Sequence, residues 1–410
     1  MIVKINEPSG QLPAVMSKRY QRLPSTVARL AGSFLALSLS FTFQTAEAKP
    51  LKGATTGVTL HIEPDESYAP VLAFIQSAQK TLDFNIYQLN DTTIQNALAE
   101  AAARGVRVRV MATWQTFPAN SGIDDPTSST FNKNVPVLAS LKSQGVETAL
   151  SPFMYTYSHE KTMIADGHTA KGRVLIMDFN SQPSYFGPSG WPGEEGTRGF
   201  AIVNEIAENV KQIQQVFDAD WKRVKPQSYN NPFLVWSPNG AGYKPQSSGQ
   251  DRILELLDSA KSTLDLYALL VDYQTFQQHL EAACKRGVKV RVLTNASTQA
   301  NATNPFTYAQ LLEMSKAGIQ FSFNPQINGG SLFVHSKTII RDAGDAAHMA
   351  FIGSENPGDY VSMNAERELG ILIANEPIVE RVSTTFERDW QSASPLQFKD
   401  GIPVNPFVPQ

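Results

Sequence analysis

His159-Glu160-Lys161-Thr162-Met163-Ile164-Ala165-Asp166 and His335-Ser336-Lys337-Thr338-Ile339-Ile340-Arg341-Asp342 are two copies of one pattern, H-x-K-x4-D, in separate halves of a 410-residue chain. One chance match is expected on the order of 0.01 times in a chain of this size, so two matches mark a duplication. In each copy His and Lys stand two residues apart beside an apolar run, which predicts a strand with both side chains leaving the same face. Imidazole and ammonium then converge. The Asp stands at an odd offset, and Asp166-Gly167 and Asp342-Ala343-Gly344 read as turns that end this strand before Arg173-Val174-Leu175-Ile176-Met177 or Met349-Ala350-Phe351-Ile352 begins. Asp166 and Asp342 are therefore assigned a structural role.

The duplication extends beyond the motifs. Ser77-Ala78-Gln79-Lys80-Thr81-Leu82-Asp83 reappears as Ser259-Ala260-Lys261-Ser262-Thr263-Leu264-Asp265, and Arg104-Gly105-Val106-Arg107-Val108-Arg109-Val110 as Arg286-Gly287-Val288-Lys289-Val290-Arg291-Val292, both at an offset of 182. At the motifs the offset is 176, so the second half has a shorter surface connection. Ile94, Ala97, Leu98, Ala101 and Ala102 recur at helical spacing, Gly105 follows as a stop, and Val106, Val108 and Val110 alternate as a strand. Helices alternating with strands predict an α/β fold with two similar lobes, each a mixed β-sheet flanked by helices. Asn230-Asn231-Pro232 through Pro245 is rich in turn formers and divides the chain into lobes at 49–232 and 233–410.

Residues 1–48 read differently. Lys18, Arg19, Arg22 and Arg29 precede the apolar run Leu30–Phe43, and Ala46-Glu47-Ala48 carries small residues at the spacing of a signal-peptidase site. The expectation is a cleaved signal peptide over 1–48, a mature chain from Lys49, and a periplasmic or secreted protein. Met16 is an alternative start, and an uncleaved anchor the alternative reading, although the apolar run is shorter than the roughly 20 residues that span a bilayer. Cys284 is the single cysteine, so no internal disulfide is available.

The chain has 35 basic and 38 acidic side chains; the leader holds five of the basic and two of the acidic ones, leaving 30 against 36, a formal charge of −6. That balance disfavours a dedicated binder of long nucleic acid, whose usual footprint is basic. Arg104, Arg107, Arg109, Arg286 and Arg291 keep a local basic groove in play. Lys is not a usual zinc ligand, and neither motif has a His or Cys at ligand spacing; no metal and no cofactor are expected. His61, His168, His279 and His348 fall outside the duplicated pattern and read as surface or packing residues. Aromatic clusters at Trp114–Phe117, Phe153–Tyr157 and Tyr185–Trp191 suit core packing or, at the rim of a site, a lipid interface or a stacked base.

The paired motifs resemble those of the phospholipase D superfamily, whose members make or break phosphodiester bonds without a metal. The resemblance covers nearly all of the chain after residue 48. It includes Gly353-Ser354-Glu355-Asn356, similar to the family's G-S-x-N, and Glu366-Arg367-Glu368-Leu369-Gly370, similar to its N-R-E-L-G. It implies two pseudo-twofold-related lobes with one active site at their interface. One histidine would attack phosphorus, with His159 suggested as nucleophile, while His335 protonates the leaving alcohol and then activates water. Lys161, Lys337, Asn180, Asn356 and Ser354 would hold the nonbridging oxygens, and Glu368 would orient its neighbouring imidazole, read as His335. The first half departs from the pattern: Met177-Asp178-Phe179-Asn180 keeps only the Asn, and Gly199 stands where the second half has Glu368. Asp178, Glu194, Glu195 and Glu205 are the candidates to orient His159.

The function so implied is an exported phospholipase D that hydrolyses the distal phosphodiester of glycerophospholipids, for example phosphatidylcholine to phosphatidate and choline, with transfer to other alcohols also open. Its partner is then phospholipid at a membrane or micelle surface. Two alternatives stay open: an endonuclease of the same superfamily, and a noncatalytic lipid-binding or interaction module with a decayed first half-site. Both half-sites lie in one chain, so a monomer suffices and no obligate protein partner is expected.

Overall fold

Val174-Leu175-Ile176-Met177 in the first half and Met349-Ala350-Phe351-Ile352 in the second alternate between two hydrophobic clusters, and this alternation sets the architecture. Val174, Ile176, Ala350 and Ile352 belong to one central cluster shared by both halves. Leu175 and Met177 face an outer cluster of the first half, and Met349 and Phe351 an outer cluster of the second. Successive strand residues point to opposite faces, so strands that are apolar at every position are covered on both sides.

The computed structural model describes residues 51–116, 132–188, 194–226, 231–238, 249–295, 308–399 and 402–404. The expected leader, the aromatic positions Phe117 and Trp191, and most of the turn-rich junction lie outside the described residues. The first half runs β1 (Val58–Glu63), α1 (Ala69–Ser77), β2 (Thr81–Ile86), α2 (Thr92–Ala103), β3 (Arg107–Ala112), α3 (Asn134–Ser143), β4 (Glu147–Leu150), β5 (Thr162–Ala165), β6 (Arg173–Met177), β7 (Glu194–Asn204) and α4 (Ala207–Trp221). The second runs β8 (Leu234–Ser237), α5 (Gly249–Asp258), β9 (Thr263–Tyr267), α6 (Gln274–Lys285), β10 (Lys289–Thr294), α7 (Tyr308–Lys316), β11 (Gln320–Phe323), β12 (Gln326–Ile327), β13 (Gly330–Val334), β14 (Ile339–Arg341), β15 (Met349–Gly353), α8 (Tyr360–Ala365), β16 (Glu368–Ile373) and α9 (Glu376–Ser392). No described helix is long and apolar enough to cross a membrane.

The two sheets repeat one order. The first reads β4-β3-β2-β5-β6-β7 with β1 also on β7, and the second reads β11-β10-β9-β14-β15-β16-β8. In each, parallel pairs give way to antiparallel ones at the strand inside the motif, between its Lys and its Asp. This is the mixed α/β fold in two lobes that the duplication predicts. The helix stops are duplicated as well: Gly105 and Gly287 adopt φ of +89° and +90°, a conformation that only glycine takes at no steric cost. There Val106 and Val288 donate back to Ala101 and Ala283, closing the helix ends.

The lobes exchange pairing. β12 and β13 leave the second half and extend the first sheet, with β13 parallel to β7 and Val334 opposite Arg198. In the reverse sense Ser158 bridges Arg367, with His159 N–H donating to the Arg367 carbonyl at 2.9 Å and Arg367 N–H to the Tyr157 carbonyl at 2.9 Å. Each crossing carries an arginine that reaches a helix of the other lobe. Arg198 pairs with Asp389 of α9 at 2.7 Å and Arg367 with Asp220 of α4 at 2.9 Å, and all four side chains are buried. Tyr267 and Tyr155 hydroxyls donate to the same aspartates at 2.8 and 2.9 Å, so the carboxylates are satisfied as buried charges must be.

Removing one partner of such a pair strands a charge in the interior. Arg367→Ala or Arg198→Ala is therefore expected to cost roughly 3–5 kcal/mol of stability. Arg107→Ala, which breaks an exposed bidentate contact with Glu147, should cost no more than about 1 kcal/mol. Denaturant unfolding of the three variants checks this; equal losses would contradict the assignment of the buried pairs as the lock between lobes.

Candidate active site

The second motif lies where the chain changes sheets, and the first where it returns from a bridge to the other lobe. His159 and Lys161 occupy the extended segment that runs into β5, and His335 and Lys337 the link between β13 and β14. The expectation that they sit within a strand is corrected. Each segment begins on a partner in the opposite lobe, Arg367 or Arg198, and ends on its own, with Met177 N–H donating to the Lys161 carbonyl and Tyr267 N–H to that of Thr338, so neither forms one continuous strand. Lys161 Nζ donates to the His159 carbonyl and Lys337 Nζ to the His335 carbonyl, which folds each ammonium back beside its own imidazole.

Asp166 and Asp342 point away from this centre. At φ of +53° and +50°, each ends its strand and turns its carboxylate onto the backbone of the turn before β2 or β9. Asp166 accepts from the N–H groups of Gln79, Lys80 and Thr81 at 3.0, 2.6 and 2.9 Å. Asp342 accepts from Lys261, Ser262 and Thr263, and from Ser262 Oγ. Burial alone would raise both carboxyl pKa values; the amide donors outweigh it and hold both below the usual range.

The acid that orients His159 comes from the other lobe. Glu368 places both carboxylate oxygens 3.0 Å from His159 Nδ1, and Ser362 Oγ donates to Glu368 Oε1 at 2.6 Å. Glu368 was expected beside His335, and Asp178, Glu194, Glu195 and Glu205 were the candidates for His159; both expectations are corrected. The pseudo-twofold crossing puts the strand after one motif against the other motif. By that symmetry Gly199 occupies the place of an acid for His335. The space a side chain would need there is taken, with Phe179 Cδ1 at 2.6 Å and Asp178 Oδ1 at 3.0 Å from an added Cβ. His335 instead meets the backbone carbonyl of Asp178, while the buried Asp178 carboxylate accepts from Phe200 N–H at 2.8 Å.

Asn180 and Asn356 line the same cavity as the two histidines, and each has a buried Oδ1 without a hydrogen-bond partner. Ser354, expected among the phosphate-holding groups, is behind the site. It is fully buried and its Oγ accepts from Leu369 N–H at 3.1 Å, so it braces β16 rather than facing the cavity. Glu366 is a further wall residue, with Oε2 3.9 Å from His159 Nδ1. Its signal in the sequence is an acid where the family pattern has Asn. The cavity, about 850 Å³, is also walled by Tyr87, Tyr157, Tyr185, Leu269, Leu270, Phe333, Glu194 and Asp359, with no Arg or Lys among the lining residues. The rings of Tyr87 and Tyr185 stand edge-on to His159 and His335, with centroids 4.9 and 5.4 Å away.

The remaining histidines are engaged elsewhere: His61 with Glu66, His168 with Asp218, His279 with Asp258, and His348 with the Asp345 carbonyl. The five arginines considered for a nucleic-acid groove are also occupied. Arg107 meets Glu147, Arg109 meets Asp83 and Asp218, Arg291 meets Asp265 and Glu387, and Arg104 and Arg286 cap helix carbonyls.

The family model "Cardiolipin synthase, PLD-like domain" matches residues 71–221 and 253–390, taking in both motifs. The chain belongs to the phospholipase D superfamily. The probable cardiolipin synthase YwiE of Bacillus subtilis is 23% identical over 288 residues, which cover 64% of this chain and 54% of that protein; the chain thus spans about half the length of this curated relative. Among solved structures, phosphatidylserine synthase of Haemophilus influenzae Rd KW20 superposes with a TM-score of 0.61 at 11% identity, covering 85% of this chain and 89% of that one. Polyphosphate kinase of Porphyromonas gingivalis does so with a TM-score of 0.61 at 12% identity, over 88% of this chain and 53% of that one. Both likenesses show the fold.

In this phospholipase D site burial sets the protonation states. It lowers His159 to about 4, against the opposing pull of Glu368, so the imidazole is neutral with its Nδ1–H directed at that carboxylate and Nε2 unprotonated. Burial, with repulsion from Lys337 and Lys161, also lowers His335 well below its ordinary value. Lys161 falls to about 8 through burial, with Glu368 and Glu366 holding it up. Burial and the neighbouring Glu368 push the Glu366 carboxyl well above the usual carboxylate range. His159, Glu366 and Glu368 converge closely enough to offer three ligand atoms to a cation. Nδ1 is already committed to Glu368, however, and Lys161 lies beside that imidazole, while burial and repulsion from Lys161 lower Lys337 well below its ordinary value.

Three outcomes follow. Asp166→Asn and Asp342→Asn should lower Tm. Because both native carboxyls titrate below the ordinary aspartate value of 3.8, the gap to the native protein should be full above that pH and close as the pH falls further. Sulfate, whose own charge does not change in this range, followed by calorimetry, should bind with constant affinity between about pH 5 and 7 and weaken as the pH rises through about 8, where Lys161 loses its charge; a step near 6.5 would reveal a histidine at its ordinary value instead. Glu368→Gln should cut turnover by roughly 10³–10⁴ while leaving the circular dichroism unchanged; near-native turnover would dismiss the Glu368–His159 contact as incidental.

Proposed function

We propose that this chain is a phosphodiester-transferring enzyme acting on glycerophospholipids, which cleaves the distal phosphodiester and passes the phosphatidyl group to water or another alcohol. The observation that carries the reading is the convergence of His159, His335, Asn180 and Asn356 on one cavity, with Lys161 and Lys337 folded beside the imidazoles. Phosphoryl transfer needs a nucleophile, an acid for the leaving oxygen, and positive charge near the nonbridging oxygens. This set supplies all three.

His159 Nε2 attacks phosphorus, forming the N–P bond as the P–O bond to the headgroup alcohol breaks. The phosphohistidine carries a positive ring, and Glu368 at Nδ1 offsets that charge. His335 gives its proton to the departing alkoxide. An incoming anionic diester favours protonation of this depressed imidazole, because a nearby opposite charge favours the charged form. His335 then takes a proton from water or a second alcohol, whose oxygen displaces His159 and restores both imidazoles. Asn180 and Asn356 bind the nonbridging oxygens from the cavity wall, and Lys161 and Lys337 act on them electrostatically from beside the imidazoles.

The walls support a lipid rather than a nucleic acid. They combine Tyr87, Tyr157, Tyr185 and Phe333 with the carboxyls Glu194, Asp359 and Glu366, which suit a cationic headgroup such as choline and repel a polyanion. Two similar proteins are named for making phospholipids, which supports a phospholipid substrate. The proposal includes export by the leader at 1–48, with action at a membrane or micelle surface as a monomer.

Phosphatidylcholine vesicles incubated with the protein in EDTA should yield choline and phosphatidate, with phosphatidylethanol appearing when ethanol is added. His335→Ala should abolish release, and acid-labile phosphate trapped from labelled lipid should map to His159. DNA fragments without lipid products would replace this reading with a nuclease, and loss of activity in EDTA would point to metal catalysis.

A further inference from the structure

Large apolar side chains that the interior does not take collect beside the site. Phe153 and Tyr360 are 58% and 59% exposed, and Met154, Val224 and Val361 are exposed as well. Phe153 and Met154 lie on the loop that runs into His159, and Tyr157 of that loop lines the cavity. Tyr360 and Val361 open α8, directly after the wall residue Asp359. The two segments are tied together, since Thr156 N–H donates to the Ala365 carbonyl at 2.9 Å. Together they form one lip of the cavity.

The end of α4 supplies charge to this lip. Arg223, at φ of +57°, turns its guanidinium over the Phe153 ring at 5.6 Å and donates to the Leu150 carbonyl at 3.3 Å. Phe153 also packs edge-on against Trp114 at 5.3 Å. Lys222, Arg223, Val224 and Lys225 are consecutive and exposed. None of the three cations forms an ion pair with a described residue; the nearby Asp218 and Asp220 are committed to Arg109 and Arg367. The chain from Lys49 onward has 30 basic and 36 acidic side chains, so an anionic surface repels most of the molecule while this patch attracts it.

We infer that this lip is a docking surface for an anionic lipid bilayer. Phe153, Met154, Val224 and Tyr360 enter the headgroup region, and Lys222, Arg223 and Lys225 meet lipid phosphates, each cation adding about fivefold to the partition constant. Aromatic and basic side chains interleaved on an exposed lip are the composition that lies in a bilayer interface. The inference rests on phospholipid being the substrate. It adds that anionic lipid governs access to the cavity whichever headgroup is cleaved.

The test is sedimentation with vesicles of pure phosphatidylcholine and of phosphatidylcholine containing 30 mol% phosphatidylglycerol (about the anionic share that gives a strong surface potential), alongside turnover of soluble bis(p-nitrophenyl) phosphate. The native protein should bind the anionic vesicles more tightly, and less so at high salt. Lys222→Glu combined with Lys225→Glu should weaken anionic-vesicle binding about 25-fold or more (two cations at about fivefold each) and leave pure phosphatidylcholine binding unchanged. Phe153→Ser combined with Val224→Ser should weaken both. All four substitutions are at exposed positions, so turnover of the soluble diester should stay within about twofold. Vesicle binding equal to native in both double variants would overturn the inference, as would a native dimer that either variant converts to monomer. Failure of the native protein to turn over any diester would instead count against the proposed enzyme activity, and sedimentation would still report on docking.

Discussion

The exchange of backbone pairing between the lobes is the constraint on which the site depends. Val334 opposite Arg198 and Ser158 opposite Arg367 place each motif against a strand of the other half. The arginines of those strands then bury their charges on Asp389 and Asp220 of the opposite helices. A buried ion pair adds little net stability compared with an apolar filling. Its value here is register, because a guanidinium fork satisfied by carboxylate, tyrosine and carbonyl groups has one good position. Sliding either lobe by one residue would turn the extended segments over and withdraw both imidazoles from the cavity.

From that register comes an asymmetric pair of histidines. Glu368 reaches His159, whereas Gly199 leaves His335 with a carbonyl and an adjacent ammonium. A carboxylate beside a ring suits the imidazole that must become cationic when phosphorus binds to it. A ring without one gives up a proton more readily. The departure of the first half from the family pattern therefore reads as a division of labour between the two imidazoles in the proposed reaction, and Asp178 occupies the space so released.

Much of the fold is legible in the residues because it is local. The duplicated Gly105 and Gly287 stops, the strands apolar on both faces, and the motif aspartates at turns all follow from rules acting within about ten residues. The pairing of acid with histidine is long-range: Glu368 lies 12 residues after Asn356, the end of its own half's G-S-x-N, a position that favours His335, and the crossing that sends it to His159 has no local mark. Ser354 fits the family motif yet braces β16, because the turn after β15 directs the hydroxyl inward. One signal was present and informative. Phe217-Asp218-Ala219-Asp220-Trp221 and Phe386-Glu387-Arg388-Asp389-Trp390 repeat the same F-x-x-D-W, and in both copies the aromatic pair covers an arginine that is itself duplicated, Arg109 and Arg291.

The same exchange governs when the molecule becomes competent. Arg198, in the first half, finds its carboxylate at Asp389, close to the last described residues, and His159 waits for Glu368. A chain emerging from N- to C-terminus can fold its first sheet and outer cluster early. It cannot complete either imidazole's surroundings until nearly all of it has been made. For the proposed reaction this means that topology alone withholds a working site from a partly synthesised chain, without a separate inhibitor.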